Sequence, residues 1–255
     1  MPSFRFLKPA LFALALCGAP AIASAQSFSE PQRGEIEKIV RDYLLSHPEV
    51  LEEVSAELSK RQTAAETEKH EAAVTKNAQA IFSSPRGVTI GNKDGDVTFV
   101  EFFDYNCGYC KRAMADMIEL MKADPKLKVV LKEFPVLGPG SVEAAQVAVA
   151  VRMQDPTGKK YLDFHQKLLG GKGQADKARA MAAAKDVGVD MAKLEKDLAS
   201  PEVRATLEEN FKLAEDMGMN GTPSYVIGKQ VVIGAVGVDN LKEKIGVARC
   251  GKATC

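Results

Sequence analysis

Apolar and polar positions divide the chain into three regimes. Between residues 36 and 58 apolar side chains recur at helical spacing. Ile36, Ile39, Val40, Tyr43 and Leu44 share one face, and Val50, Leu51, Val54 and Leu58 follow a break at His47-Pro48. Ser29-Glu30-Pro31 opens the first helix. Ser46 and Glu49 have the spacing of a capping box for the second. From residue 59 to 80 large apolar residues nearly vanish, and Val74 stands alone among Ala, Glu, Lys, Gln and Thr. This stretch favours helix by propensity but offers little to a core. Beyond Ser83-Ser84-Pro85-Arg86-Gly87 the period shortens. Strands are predicted at 88–91, 97–103, 127–134, 225–228 and 230–234, a helix follows residue 107, several helices fill 139–218, and a last helix covers 239–245.

The order β-β-α-β, helices, β-β-α predicts an α/β thioredoxin-type core with a helical insertion at about 139–218, preceded by a helical arm. The domain reading is a leader at 1–25, an arm and linker at 26–84, and a catalytic domain at 85–255. The stripes at 36–58 are too short to be stable alone, and a polar stretch separates them from the domain core. They are expected to bury against other copies of the chain, through residues 27–60, with packing onto the catalytic domain as the alternative.

The first 25 residues change the setting. Arg5 and Lys8 precede a short apolar run, Ala10 to Leu16, and Ala23-Ser24-Ala25 is a small-residue cleavage site. This is a secretory signal pattern, with a core too short to span a bilayer. Leu14-Ala15-Leu16-Cys17 is a weaker, lipoprotein-like alternative, and bulky Leu16 before the cysteine argues against it. The chain is expected in the periplasm. Its 255 residues carry 34 basic and 34 acidic side chains, so no global basic field points to nucleic acid.

Export also changes the cysteine count. Once Cys17 leaves with the signal, Cys107, Cys110, Cys250 and Cys255 remain, an even number suited to an oxidising compartment. Structural zinc is disfavoured, because His47, His70 and His165 cluster with neither pair. No metal and no cofactor are expected. Cys250 and Cys255 are most simply a small disulfide stapling the tail; a second redox pair or a copper-binding pair is the alternative. His165, among Leu162, Phe164 and Leu168, reads as a half-buried core or surface residue.

The chemistry concentrates at 101–110. An apolar strand runs into Cys107-Gly108-Tyr109-Cys110, and a helix follows with Ala113, Met114, Met117, Ile118 and Met121 on one face. Strand, Cys-x-x-Cys, helix is a redox context. With Asn106 as N-cap, Cys107 would occupy the first helical position, exposed, where free N–H groups and the helix dipole favour a thiolate. The thiolate is the species that attacks a disulfide. Gly108 and Tyr109 sit where they tune it, and Lys111 and Arg112 add positive charge. Glu101, an acid in an apolar strand, is placed to exchange protons with Cys110 at a raised pKa. Gly221-Thr222-Pro223 opens a strand after the helical insert. A cis bond before Pro223 would present the Thr222 backbone to a bound peptide.

Phe102-Phe103-Asp104-Tyr105-Asn106-Cys107-Gly108-Tyr109-Cys110-Lys111, the helical insertion and Gly221-Thr222-Pro223 together resemble the DsbA family of exported thiol–disulfide oxidoreductases, over about residues 85–250. The arm in front is similar to the suppressor-of-copper-sensitivity protein C (ScsC) branch, some of whose members are trimeric. Gly108-Tyr109 and Thr222 depart from DsbA itself and are similar to the DsbC disulfide isomerase. The resemblance implies a disulfide isomerase or oxidoreductase acting on misfolded or reduced exported proteins, with a membrane redox partner and a homo-oligomeric, trimer-like assembly. A monomeric dithiol oxidase and a copper-binding thiol protein are the alternatives.

Overall fold

The computed structural model describes residues 28–255; the leader expected at 1–25, with Cys17, lies outside them. Contacts divide the chain into two compact units, one ending at Leu58 and the other spanning Ser59–Cys255.

In the first unit α1 is Glu30–Ser46, with Pro31 in its first turn. Pro31 costs nothing there, because its missing N–H has no helical acceptor anyway. The Ser29 backbone N–H donates to Gln32 Oε1 at 2.9 Å. Ser46 does not cap the next helix as its spacing suggested. It is the last residue of α1, the chain turns at His47-Pro48, and α2 (Glu49–Lys76) starts at Glu49. Glu49 contacts His47 instead, Oε1 to Nδ1 at 3.1 Å. No residue of α1 is buried.

The second unit is built on a five-stranded sheet in the order β1-β3-β2-β4-β5, where β1 is Val88–Gly91, β2 Val97–Phe103, β3 Leu127–Glu133, β4 Ser224–Ile227 and β5 Gln230–Ile233. β2 runs parallel to β3 and antiparallel to β4; the two outer pairs are antiparallel. Helix α4 (Gly108–Ala123) connects β2 to β3. Between β3 and β4 the chain inserts α5 (Pro139–Arg152), α6 (Lys159–Gly170), α7 (Lys177–Asp186), α8 (Met191–Leu198) and α9 (Pro201–Asp216). The closing helix α10 (Val238–Cys250) runs five residues past its predicted end.

Alternation along the central strands sorts the core into two layers. Val97, Phe99 and Phe103 of β2, Leu127, Val129 and Leu131 of β3, and Tyr225 and Ile227 of β4 face α4 and the inserted helices. Val100, Phe102, Val130 and Val226 face the other way and meet Leu213 and Ala214 of α9 and its C-cap Met217. Val74 and Ile81 belong to this second layer, at 1% and 0% exposure. The stretch 59–80 does have little to bury, as expected, since Val74 is its one buried residue; what the sequence did not show is that Val74 itself reaches a core layer. The last turn of α2 and helix α3 (Ala78–Phe82) close the back of the sheet. A lone valine suffices because it fills a site already walled by large side chains.

Behind β3 lies a group of paired charges. Lys132 is fully buried, its Nζ 3.6 Å from Glu209 and 3.4 Å from Asn210 Oδ1. Arg86, in the turn before β1, bonds Glu202 and Glu209 of α9, and Arg152 of α5 also reaches Glu202. The set ties the strand layer to α9. Among the described residues no helix is long and apolar enough to cross a membrane.

Candidate active site

The β2–α4 junction places Cys107 through its backbone. The Cys107 N–H donates to the Asp104 carbonyl at 3.1 Å, and the Cys107 carbonyl accepts from Lys111 N at 3.2 Å. Cys107 is the N-cap of α4, in extended conformation, and its Sγ accepts from the Cys110 N–H at 3.2 Å. This corrects the expectation of an Asn106 cap. The sulfur itself takes the place of the capping oxygen and satisfies a first-turn donor. Asn106 is occupied elsewhere. It donates to Ser141 Oγ and to the Ala175 carbonyl, each at 2.9 Å, and accepts from Ala175 N at 2.7 Å. The inserted helices are thereby docked on the active-site loop.

Asp104 does comparable work. Its Oδ1 accepts from Asn106 N at 2.8 Å, and its Oδ2 accepts from Val136 N and Leu137 N at 2.8 and 2.9 Å. The side chain is buried, while the three N–H groups it holds belong to half-buried Asn106 and exposed Val136 and Leu137. The loop after β3 is thereby pinned beside the cysteines, with Val136 and Leu137 left exposed. Aspartate two residues before a backbone donor is a recognisable turn signal, but its long-range bonds to residues 136 and 137 have no local signature.

Cys107 and Cys110 form the free dithiol. Cys107 is not exposed as expected: 6% of it is accessible, because the strand after the helical insert lies against it. Thr222-Pro223 is a cis peptide, and the Cys107 thiol donates to the Thr222 carbonyl at 3.2 Å. The approach is still bordered by open ground, since a Cβ on Gly108 or Gly221 would meet nothing within 4 Å. Tyr109 stands out at 60% exposure, with the Arg112 guanidinium 4.5 Å from its ring centroid. Lys111 reaches the Gly171 carbonyl at 2.8 Å.

The two thiols are driven apart. Cys107 is held down to about 6, chiefly by its hydrogen bond with Cys110, and also by the Thr222 side chain and the first backbone N–H groups of α4, against the penalty of burial. Thr222 acts in both directions: its carbonyl contact favours the thiol, its side-chain hydrogen bond the thiolate, and the downward pull prevails. Cys110, fully buried, is pushed far up by burial first, then by its hydrogen bond with Cys107 and the charge of Glu101. The arrangement thus sets a thiol that ionises readily beside one that holds its proton.

Glu101 lies beneath this pair, 1% exposed and pushed up to about 8 by burial, with the charges of Cys107 and Asp116 adding to the shift. The cluster includes Tyr225 and Asp116, which the sequence did not single out. His165 is corrected from half-buried to 1% exposed. Its ring meets Phe103 edge-on at 4.5 Å, and burial lowers it to about 3, so it is a neutral core residue. Cys250 and Cys255 are joined in a disulfide at the end of α10. Among the described residues no group of three or more His, Cys, Asp or Glu side chains converges as a metal site.

Residues 98–246 match the DSBA-like thioredoxin domain, and residues 32–65 match the Copper resistance protein ScsC N-terminal domain. Disulfide bond formation protein D of Bacillus subtilis is 29% identical over 178 residues, which are 64% of this chain and 77% of that one. Na(+)/H(+) antiporters NhaA also match, but the chain spans only about a quarter of their length. A crystal structure of a thioredoxin-like oxidoreductase from Silicibacter pomeroyi shares 42% identity and a TM-score of 0.63, over 67% of this chain and 96% of the other. Proteus mirabilis ScsC in a transitional conformation shares 31% identity and a TM-score of 0.63, over 88% of this chain and 97% of the other. With a reduced Cys-x-x-Cys pair at the head of α4, and with the domain match covering more than half of its length, the chain belongs to the DSBA-like thioredoxin domain family and is a thiol–disulfide oxidoreductase of the DsbA/ScsC type.

Proposed function

We propose that the protein is a periplasmic disulfide isomerase that works as several copies, a trimer being the stoichiometry its resemblance implies. The observation that carries this reading is the arm. Ile36, Ile39, Val40, Tyr43, Leu45, Leu51, Val54 and Leu58 are 42–71% exposed. Eight large apolar side chains within 23 positions are more than a solvated helical segment needs, and association between copies would bury them. The ScsC N-terminal match over 32–65 covers the same residues.

Cys107 thiolate attacks a client disulfide, one client sulfur leaves, and a mixed disulfide forms. A second client thiol then attacks the mixed disulfide and frees Cys107 with the client bond rearranged. If Cys110 attacks first, the client leaves reduced and the pair is oxidised. Thr222 beside Cys107 offers a backbone edge to an extended client, and Glu101 takes the Cys110 proton. Several sites around one client favour rearrangement over a single exchange. A membrane redox partner resets the pair.

Scrambled-ribonuclease refolding by the full chain and by an Ile39→Glu/Val40→Glu variant, with solution mass measured on both, tests this reading. The expected result is that the variant dissociates, keeps dithiol exchange and loses isomerisation. Equal isomerisation by both, or a monomeric full chain, would favour a monomeric oxidase. Stoichiometric Cu(I) binding without turnover would favour a copper-binding thiol protein.

A further inference from the structure

Glu101 of β2 and Tyr225 of β4 are register partners. Cross-strand partners put their side chains on one face, with Cβ atoms roughly 5 Å apart. That face is the one under α4, since Phe99, Phe103 and Tyr225 all join the core on that side. Both residues are 1% exposed. Glu101 Oε2 and Tyr225 Oη are nevertheless buried without a hydrogen-bond partner from the protein. Buried polar atoms are almost always paired, so two orphans on adjoining residues call for a reason. Phenylalanine at 225 would fill the same space without the orphan hydroxyl. The ring already packs on Phe99, with centroids 5.1 Å apart, which fixes where the hydroxyl points.

Cys110 must lose a proton to resolve a mixed disulfide, and it is wholly buried. Glu101 can receive that proton, but Glu101 is cut off from water as well. Its titratable neighbours are few. From α4 and its N-cap they are Cys107, Cys110 and Asp116; from β4 there is Tyr225; its register partner in β3 is Leu131, which offers none. Asp116 lies six residues beyond Cys110 on α4 and is half-buried, with part of its surface in solvent. Its carboxyl is raised by burial and by Glu119.

We propose that the Tyr225 hydroxyl, with a bound water, forms a proton exit that links Glu101 to Asp116 and so to solvent. This rests on the proposed role of Glu101 as acceptor of the Cys110 proton. In the resolving step Glu101, raised to about 8, first gives up its own proton through the exit, and the Cys110 S–H proton then passes to the resulting carboxylate. The Cys110 sulfur attacks Cys107 Sγ, the bond from Cys107 to the client breaks, and the client sulfur leaves as a thiolate. Glu101 then releases its proton to the exit. Tyr225 accepts one proton and donates another, so its hydroxyl is restored, and Asp116 hands the proton to bulk water. Tyr225 and Asp116 touch no reacting sulfur; they are positioning residues for the transfer.

The test uses the full reduced chain and a peptide disulfide whose halves carry different fluorophores. Release of the first half reports attack by Cys107; release of the second reports resolution by Cys110. Tyr225→Phe is expected to slow the second release by about tenfold, to remove its solvent deuterium isotope effect, and to leave the first release in place. Asp116→Asn is expected to slow the second release as well. Thermal unfolding of Tyr225→Phe separates this from misfolding, since a purely structural hydroxyl predicts an equal or higher midpoint with unchanged rates. An unchanged second release in Tyr225→Phe, with Glu101→Gln slow, would overturn the exit and leave the role of Glu101 standing. An unchanged second release in Glu101→Gln would instead overturn the role of Glu101 on which the exit rests.

Discussion

Cys107 Sγ lies 3.2 Å from the carbonyl oxygen of Thr222, a residue 115 positions further along the chain. The contact joins the two halves of the domain at the Cys107 sulfur. The same residue's side chain helps to hold Cys107 down to about 6, though less than the hydrogen bond with Cys110 does. Thr222→Val keeps the shape and the carbonyl and deletes the hydroxyl. The Cys107 pKa is expected to rise by up to about one unit and to stay below the free value of about 8.5, read from thiolate absorbance during a pH titration. A folded pKa below the unfolded one stabilises the reduced form fully above about pH 8.5, and that contribution is lost as pH falls through 6. Thr222→Val moves the lower edge of this window upward.

Glu101 has the opposite sign. Its pKa is raised to about 8 by burial, above an unfolded value of about 4.3. Protonated Glu101 is compatible with the fold, and that advantage is complete below pH 4.3 and lost as pH rises through 8. Glu101→Gln should therefore match the parent at pH 4 and exceed it at pH 8, by on the order of a few kcal/mol. Denaturant midpoints at the two pH values check this; equal midpoints at pH 8 would show that the carboxylate is not confined as its burial implies.

The strands, the Cys-x-x-Cys helix and the Thr222-Pro223 turn were legible because each is written locally, in apolar alternation or in punctuation. Glu101 stood out as an acid in an apolar strand. Lys132 and Glu133 carry the same signal, but charged residues at the end of an alternating strand are ordinary on a solvent-facing side. Their partners Asn210, Glu209 and Tyr161 lie 28 to 78 positions away. Tyr225 was hidden for a related reason: a tyrosine in an apolar strand is ordinary until its register neighbour is known. The Asn106 cap failed because a cysteine sulfur can itself accept from the first turn, which propensity for oxygen-bearing caps does not anticipate.

Asp104 supports three backbone N–H groups, at Asn106, Val136 and Leu137. Asp104→Ala would leave all three without their side-chain acceptor. A loss of about 1–3 kcal/mol is expected, with faster amide exchange at 136 and 137. Asp104→Asn keeps one carbonyl oxygen as acceptor and should recover part of the loss. Protection at Val136 and Leu137 that survives Asp104→Ala would show that another group holds the loop.

Lys132 gives the sharpest contrast between removing one charge and removing the other. It has no exposed surface, and burial lowers its pKa against the pull of Glu209. An ion in that position is expensive, so Lys132→Met, similar in length and apolar, is expected to be neutral or stabilising. Glu209→Ala leaves the ammonium in place without its carboxylate, and also deprives Arg86 of a partner at 3.0 Å. It should cost on the order of 3 kcal/mol, the lower end of the range for broken buried pairs, because Glu209 keeps 19% of its side chain in solvent. Combining the two substitutions removes the stranded charge, so the double variant should be more stable than Glu209→Ala alone. Chemical denaturation of the three variants decides it: a Lys132→Met protein as damaged as Glu209→Ala would mean that the ammonium contributes net stability through Asn210 and Glu133.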